Sequence, residues 1–550
     1  MIGLMLLVMA ALWARAFQLQ VLDKAFLINQ GDLRHVSAVT QPASRGMIVD
    51  RNQEPLAIST PVESIWINPS EMDPSQRLLW RQLAELLAIN PTRLDELAQQ
   101  PKRKFAYLQR RIPPHQASRV KQLGVSGVYS QREFKRFYPN GASSAQLVGF
   151  TNIENQGQEG VELAFNAYLN GIDGRKRVIR DGKRDVIADI ESIQQPQNGQ
   201  DLVLSIDSTV QYLAYRELQA QVLHHQAKAG SLILLDAQTG EILADANFPS
   251  FNPNRLGEGM PQGLRNRSVI DIFEPGSTVK PFVIAAALEG GYVRPDTIIE
   301  TNRQTRIGRN WVRDVHNYGN LDLTGVLKKS SNVAVSLIAL KMPRPYFWSV
   351  YDHLGFGHAP GTGFPAEASG SVLSYDRWND FIQSTLAFGY SLNTSLLQLA
   401  RAYTALADNG VLHSVSLLRR NQDPNSKRIF SATTTRKIRA MLAEVVSKQG
   451  TAYRAHVEGY RVAGKTGTVK KTSPDGGYTK KDYFAVFVGM APAENPRLVM
   501  AVMIDQPSEG GYYGGLVAAP VFANVMAGAL RRFGIAPDQE DNMPILLARH

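Results

Sequence analysis

Phe273-Glu274-Pro275-Gly276-Ser277-Thr278-Val279-Lys280-Pro281 is the stretch that decides how this chain is read. The first four residues make a turn. Pro281 has no amide hydrogen and is tolerated only near a helix start. The spacing therefore predicts a helix beginning close to Ser277, with its hydroxyl near the positive end of the helix dipole. A developing oxyanion is favoured there. Lys280 lies three residues on, on the same face. A serine attacks an amide poorly until a base takes its proton, and a lysine becomes that base once burial and a neighbouring cation lower its pKa.

Ser-x-x-Lys alone is weak, because about two matches are expected by chance in a chain this long. Two further sets follow in order. Lys328-Lys329-Ser330-Ser331-Asn332 opens the run VAVSLIAL. Two lysines and two serines usually make a solvated turn and a helix cap. Here Ser330 is read as a relay between Ser277 and two lysines. Asn332 supplies an amide to orient a peptide, and Ser331 joins the substrate-binding set. Val462-Ala463-Gly464-Lys465-Thr466-Gly467-Thr468 enters a strand. Lys465 is the neighbouring cation. Gly467 marks close approach by another backbone, read as a substrate peptide adding along this edge. The Thr466 and Thr468 hydroxyls would meet a substrate carboxylate. The backbone N–H groups of Ser277 and Thr468 would form the oxyanion hole. Together the three sets describe a serine acyl-transferase.

Tyr512-Tyr513-Gly514-Gly515 reads either as an aromatic wall beside the site or as a plain turn. Lys470, Lys471, Lys480 and Lys481 flank Ser473-Pro474-Asp475-Gly476-Gly477, a solvated turn first and a partner surface second. No His/Asp/Glu cluster has metal-ligand spacing, and no glycine-rich phosphate loop is present.

The chain has 550 residues, no cysteine and a net charge of +11. That length allows about three or four domains, or two large ones. Without cysteine there is no disulfide and no thiolate metal site, which suits an oxidising space outside the cytoplasm. The positive charge reads as a solvated surface or as one working near anionic lipid or wall polymer. Nucleic acid is disfavoured, since no zinc spacing, RNA-binding aromatic signature or basic helix occurs. Ile2–Ala14 (IGLMLLVMAALWA) is uncharged, and extension through Leu22 reaches spanning length with Arg15 inside. It reads as an uncleaved anchor whose cytoplasmic tail is missing; a cleaved signal peptide or a core helix is the alternative.

Between residues 35 and 195 the pattern is mixed. Arg45–Arg51 has strand character before a turn at Asn52-Gln53, Trp80–Leu97 is helical with a break at Asn90-Pro91, and Pro114–Leu123 is a short helix. Gln194–Gln200 (QQPQNGQ) reads as a linker. Leu202–Ile206 alternates into Asp207, a cap for a helix over Tyr212–Gln226. Ser231–Leu235 and Glu241–Ala246 form a hairpin. Residues 275–409 read as mostly helical. Val462–Val469, Tyr483–Met490 and Leu498–Asp505 read as strands, and Val521–Phe533 as a final helix. Two early strands, a helical middle, three late strands and a helix give an α+β class: an antiparallel five-stranded sheet flanked by helices.

The three motifs resemble those of penicillin-binding proteins and class A β-lactamases. Arg45-Gly46-x-Ile48-x-Asp50-Arg51 with Leu56-Ala57, Arg136-Phe137-Tyr138-Pro139 and Gly157–Glu162 are similar to the amino-terminal module of class B penicillin-binding proteins. Gly389-Tyr390 and Tyr512–Pro520 resemble the cell-division member of that class. Gln53 and Ser391 stand where the family often has glycine, and Asn393-Thr394-Ser395 replaces a usual Val-Thr-Pro.

The resemblance implies a penicillin-binding/β-lactamase-like transpeptidase fold, with an anchor at 1–22 and a non-catalytic pedestal or dimerisation domain at 35–195. A transpeptidase domain at 200–535 and a tail at 536–550 complete it. It implies a single-pass inner-membrane protein with a periplasmic catalytic domain that cross-links peptidoglycan stem peptides at the septum. The D-Ala-D-Ala bond is attacked, D-alanine leaves and an amine resolves the acyl-enzyme, while β-lactams stall the cycle. By the match Ser277 is nucleophile, Lys280 base, Ser330 relay, Asn332 substrate amide binder and Lys465 electrostatic partner, with Tyr512 and Tyr513 beside the substrate. It implies no metal or organic cofactor. The partners implied are lipid-linked precursor, a glycosyltransferase and small division proteins. Two other readings were open: a β-lactam sensor or scaffold that acylates without turnover, and a β-lactamase or carboxypeptidase using water.

Overall fold

The expected hairpin is formed by β1 (Ala229–Asp236) and β2 (Ile242–Phe248), with Leu234 opposite Ala244. The late strands are β3 (Ala463–Thr472), β4 (Tyr478–Ala491) and β5 (Leu498–Asp505). They join in the order β2-β1-β5-β4-β3, antiparallel throughout. In this computed structural model residues 2–24, 36–180, 186–257, 263–423, 425–473 and 477–539 are described.

The strands run past their sequence-read bounds because the residues there still pair: Lys470 lies opposite Tyr483 and Thr472 opposite Tyr478. The turn between β3 and β4, with Pro474, Asp475 and Gly476, lies outside the described residues, as do residues 540–550 of the expected tail.

Every residue of β5 and all but the last of β1 are buried, so both sheet faces are covered. One face carries α1 (Ser208–His224) and α7 (Ala519–Arg532), which pack on each other; Phe522 meets Phe487 of β4 edge-on at 4.8 Å. Asp207 caps α1 as expected, its carboxylate accepting from the Thr209 and Val210 amides. The other face packs on α6 (Leu396–Ala407), whose start is closed by a capping box between Ser395 and Gln398. The middle of the chain is less helical than the mostly helical reading. Two-stranded ribbons fill residues 299–321, and residues 371–372 pair with 392–393 on either side of the helix Asp380–Ala387. The polar, glycine-punctuated run 299–321 lacks the apolar stripe a helix needs to bury.

The chain divides into two compact units. Unit one comprises residues 1–47, 59–136 and 167–201; unit two comprises 48–58, 137–166 and 202–550 and holds the five-stranded sheet. In unit one, helices Arg77–Leu87, Thr92–Ala98 and Pro114–Gln122 cover the face of a strand pair in which Trp66 lies opposite Tyr107. Ile65, Ile67, Leu83, Leu87, Leu94 and Leu108 form its core. The break expected at Asn90-Pro91 begins at Ala88, which ends the first helix at φ 51°. Gln194–Gln200 is not a free linker: Ile172 and Gln197 exchange backbone hydrogen bonds, and Gly199 donates to Ser44. Ile2–Phe17 is helical and continues as one π-turn to Leu22, and Met5–Leu22 is long and apolar enough to cross a membrane.

Gln53 and Ser391 take φ of 69° and 63°. This left-handed conformation explains why a glycine serves at both positions. At Gln53 the turn is held by the Asp50 carboxylate, which accepts from the Asn52 and Glu54 amides at 2.7 and 2.9 Å. Gln53→Gly should relieve about 1 kcal/mol of backbone strain, partly offset by the freedom glycine adds to the unfolded chain. Thermal unfolding should rise by roughly 1–2 °C; a fall would show that the glutamine is not strained.

Candidate active site

Ser277 sits in a tight 3-10 turn, Gly276–Val279, and Lys280 is the first residue of α3 (Lys280–Glu289). The helix begins where Pro281 predicts. The serine itself precedes it by one turn and is half-buried at the cleft. Gly276 enters the turn at φ 56°, and a Cβ there would lie 2.4 Å from Val469 Cγ2 on β3. Turn and strand are therefore in contact. Gly467 completes this fit: a Cβ would reach 3.0 Å from Thr278 and 3.2 Å from the Pro275 carbonyl. Its bare face is filled by the nucleophile turn, where a substrate backbone was expected. β3 is the edge strand of the sheet, pairing only with β4.

Ser330 closes α4 (Leu323–Lys329) in a left-handed conformation, φ 57°. Ser331 then caps α5 (Asn332–Ala339) through the Ala334 amide. The two helices are joined by those two serines alone, so the backbone reverses sharply and pushes Ser330 into the cleft. Lys280 Nζ donates to the Ser330 carbonyl at 2.6 Å, to Ser330 Oγ at 3.2 Å and to Asn332 Oδ1 at 2.7 Å. Lys465 Nζ donates to the same Ser330 Oγ at 3.0 Å. One hydroxyl thus stands between two ammonium groups. Both lysines are 0 % exposed.

Burial holds Lys280 well below the usual lysine range, and the positive charge of Lys465 lowers it further, while Asp314 opposes them. Burial brings Lys465 down to about 7. A neutral amine at Lys280 is therefore available near neutrality, which an exposed lysine does not offer.

The side chains expected to bind substrate also have partners within the protein. Ser331 is fully buried, with its hydroxyl donating to Asp314 Oδ2 at 2.5 Å and accepting from Ala334, so it holds the turn instead of meeting a ligand. Thr468 Oγ1 accepts from the Gly514 amide at 3.1 Å, and Thr466 Oγ1 lies 3.1 Å from Thr451 Oγ1. Asn332 spends its carbonyl on Lys280, and its amide nitrogen makes only a 3.4 Å bond to the Arg313 carbonyl. Tyr512 and Tyr513 extend a three-ring stack from Tyr483 on β4, at 4.2 and 4.6 Å, and Tyr513 is half exposed.

Asp314 was missed by sequence reasoning. Its Oδ1 accepts from the Asn332 and Val333 amides at 2.6 and 3.1 Å, so it fixes the start of α5 from a distant loop. No local spacing signals this. The contact links residues 17 to 19 apart across a ribbon and a helix. Glu274, three residues before the nucleophile, accepts from the Ser391 amide at 2.9 Å and is raised by burial.

With this geometry in place, similarity to known proteins becomes informative. The penicillin binding protein transpeptidase domain family matches residues 230–527, and the penicillin-binding protein dimerisation domain family matches 40–204. The probable peptidoglycan D,D-transpeptidase PbpC of Pseudomonas aeruginosa is 42% identical over all of this chain and 97% of its own length. The chain belongs to the class B penicillin-binding transpeptidases. The peptidoglycan D,D-transpeptidase FtsI of Escherichia coli K12 is 41% identical, covering 98% of this chain and 92% of FtsI. PenA of Neisseria meningitidis, also a probable D,D-transpeptidase, is 43% identical, covering 96% and 91%. The apo transpeptidase domain of Burkholderia pseudomallei penicillin-binding protein 3 is 43% identical, with a TM-score of 0.57 over 61% of this chain and 98% of that domain. A peptidoglycan synthetase from Bifidobacterium adolescentis, at 24% identity, shares the fold with a TM-score of 0.73 over 92% of this chain and 98% of its own. The enzyme is thus a serine acyl-transferase of the penicillin-binding family.

Asp314→Asn removes a negative charge that raises Lys280. The acid limb of the acylation rate should move to lower pH. The maximal rate should fall roughly ten-fold as the start of α5 loosens. Stopped-flow labelling with a fluorescent penicillin from pH 5 to 9 reads both effects; a limb moving to higher pH would contradict the assignment.

Proposed function

We propose that this protein cross-links peptidoglycan stem peptides during septal wall synthesis, from an inner-membrane anchor with its catalytic domain in the periplasm. The observation that carries the chemistry is the placement of Ser330 Oγ between Lys465 and Lys280, the latter being three residues after Ser277. In this reading residues 1–22 anchor the chain, 35–195 form the pedestal, 200–535 the catalytic domain and 536–550 a tail.

Ser277 Oγ gives its proton to neutral Lys280 and attacks the carbonyl of the D-Ala-D-Ala bond. The tetrahedral oxygen is received by the backbone N–H groups of Ser277 and Thr468. The collapsing intermediate expels D-alanine, whose nitrogen takes a proton relayed from Lys280 through Ser330. Lys465 holds positive charge beside the relay. The acceptor amine of a second stem peptide then attacks the ester and returns the serine. Asn332, Thr466, Gly467 and Thr468 line the donor peptide, and the Tyr512–Tyr513 stack borders it. A β-lactam enters by the same attack and leaves a stable ester.

The polymerising partner is a glycosyltransferase that supplies uncross-linked strands from lipid-linked precursor, with small division proteins beside it. A second reading has specific support. The curated relatives PbpC, PenA and FtsI match at nearly equal identity, which favours a specialised paralogue as well as a housekeeping enzyme.

Ser277→Ala should keep its fold and membrane attachment, yet lose covalent penicillin labelling by intact-protein mass; normal labelling would reject the nucleophile. Wild type with a glycosyltransferase and lipid-linked precursor should yield cross-linked dimers. Acylation with no dimer would favour a sensor. Complementation of Escherichia coli depleted of FtsI should restore septation if the role is septal, and filaments carrying active, penicillin-labelled protein would count for the paralogue.

A further inference from the structure

Behind the chain that runs into the nucleophile lies a polar cluster with no part in the chemistry above. Asp245 and Asn247 on β2, Ser231 on β1, and Asn266 and Ser268 at the start of α2 (Arg267–Ile270) are each at most 3 % exposed. Asn247 Nδ2 donates to Asp245 Oδ1 at 3.0 Å and to Asn266 Oδ1 at 2.9 Å. Asn266 Nδ2 donates to Asp245 Oδ2 at 2.6 Å. Asn247 Oδ1 accepts from Ser231 Oγ and from the Ser268 amide. These bonds fix both amide orientations, because turning either one over would set nitrogen against nitrogen and oxygen against oxygen.

Ser268 Oγ is what remains. It lies 2.6 Å from Asp245 Oδ1 and 2.6 Å from Asn266 Oδ1. Both are hydrogen-bond distances, and both partners are acceptors when Asp245 is ionised. The serine has one hydrogen for two oxygens. With a carboxylate, one oxygen pair stays in contact with no hydrogen between. With a carboxylic acid the count closes: Asp245 Oδ1–H donates to Ser268 Oγ, and Ser268 Oγ–H donates to Asn266 Oδ1.

We infer that Asp245 acts as a neutral carboxylic acid whose hydrogen fastens α2 to the sheet, so that it positions the segment leading to Ser277 in a proton-dependent way. On ionisation the hydrogen leaves to solvent, and the pair of oxygens must separate. Among the described residues nothing charged compensates. The elements packed on this part of β2 contribute Ser231 from β1, Gln211 from α1, and Ser143 and Gln146 from the turn and helix at 141–148, all neutral. Arg267 on α2 turns its guanidinium to Asp271 and Asp505, at 3.2 and 3.5 Å. Burial alone pushes the Asp245 carboxyl up to about 6, against the favourable bonds of Ser268, Asn266 and Asn247.

The sign follows from linkage. The folded state keeps a proton that the unfolded chain gives up near 3.8, so the contribution is complete below that pH and is lost as pH rises through about 6. The unfolding equilibrium constant should therefore grow by about 50-fold from this group between pH 4 and pH 7. This inference concerns the fold and does not depend on the septal reading.

The test compares wild type, Asp245→Asn and Ser268→Ala by denaturant unfolding and by hydrogen exchange of residues 266–271 at pH 5, 6, 7 and 8. Wild type should lose stability relative to Asp245→Asn as pH rises, and exchange at 266–271 should quicken beyond the intrinsic rate. Ser268→Ala, which removes both short oxygen contacts, should uncouple exchange at 266–271 from that transition. Penicillin acylation should show the same pH-dependent difference between wild type and Asp245→Asn. If Asp245→Asn fails to fold, exchange at 266–271 in Ser268→Ala against wild type decides. Parallel pH profiles in all the folded proteins, with no change in exchange at 266–271, would overturn the inference.

Discussion

Two ammonium groups buried around one serine hydroxyl form the constraint on which the rest of this site depends. Removing a cation from water costs several kcal/mol even after relaxation. Here two are removed together, and the charge of Asp314 opposes the effect at Lys280. Burial and the neighbouring positive charge favour loss of the Lys280 proton, which suits that lysine to the proposed role of base. The carbonyl of Ser330 and the side chain of Asn332 accept from that amine, so it stays aimed after it loses charge.

Holding this arrangement requires backbone that ordinary residues resist. Ser330 reverses the chain in a left-handed conformation between two helices, and the neighbouring Ser331 and Asn332 are pinned by Asp314. Gly276 and Gly467 let the nucleophile turn and the edge strand touch without a side chain between them. The five-stranded sheet supplies the rigid base: β1 and β5 are covered on both faces, and β3 is left at the edge with Lys465 at its inner end. Strain at the site is thus carried by a well-buried scaffold, the usual location for such conformations.

Much of this was legible in the residues themselves. Alternating apolar runs at 229–248 and 463–505 marked the sheet, and Pro281 placed the helix start within a few residues. Ser277, Lys280, Ser330 and Lys465 were named from side-chain chemistry, and their convergence across 50 and 135 residues of chain could be expected only from the motif order. What sequence could not supply was partnership. Ser331 and Asp314 meet because a ribbon folds over a helix start, and neither residue carries a local mark of it. For Thr468 the free strand edge was visible, but the Gly514 amide that its hydroxyl accepts from was not. Gly467 was rightly marked as a close approach, but the backbone approaching it belongs to the protein's own turn.

The most direct measurement is the protonation of the two lysines. In protein labelled with nitrogen-15 at lysine side chains, the Lys280 and Lys465 signals, assigned by Lys→Arg variants at each position, are followed from pH 5 to 11. One amine should titrate at about 7 and the other also well below the ordinary lysine range. Two ammonium groups that both keep their protons up to the ordinary lysine range would leave Ser277 without a base and contradict the account.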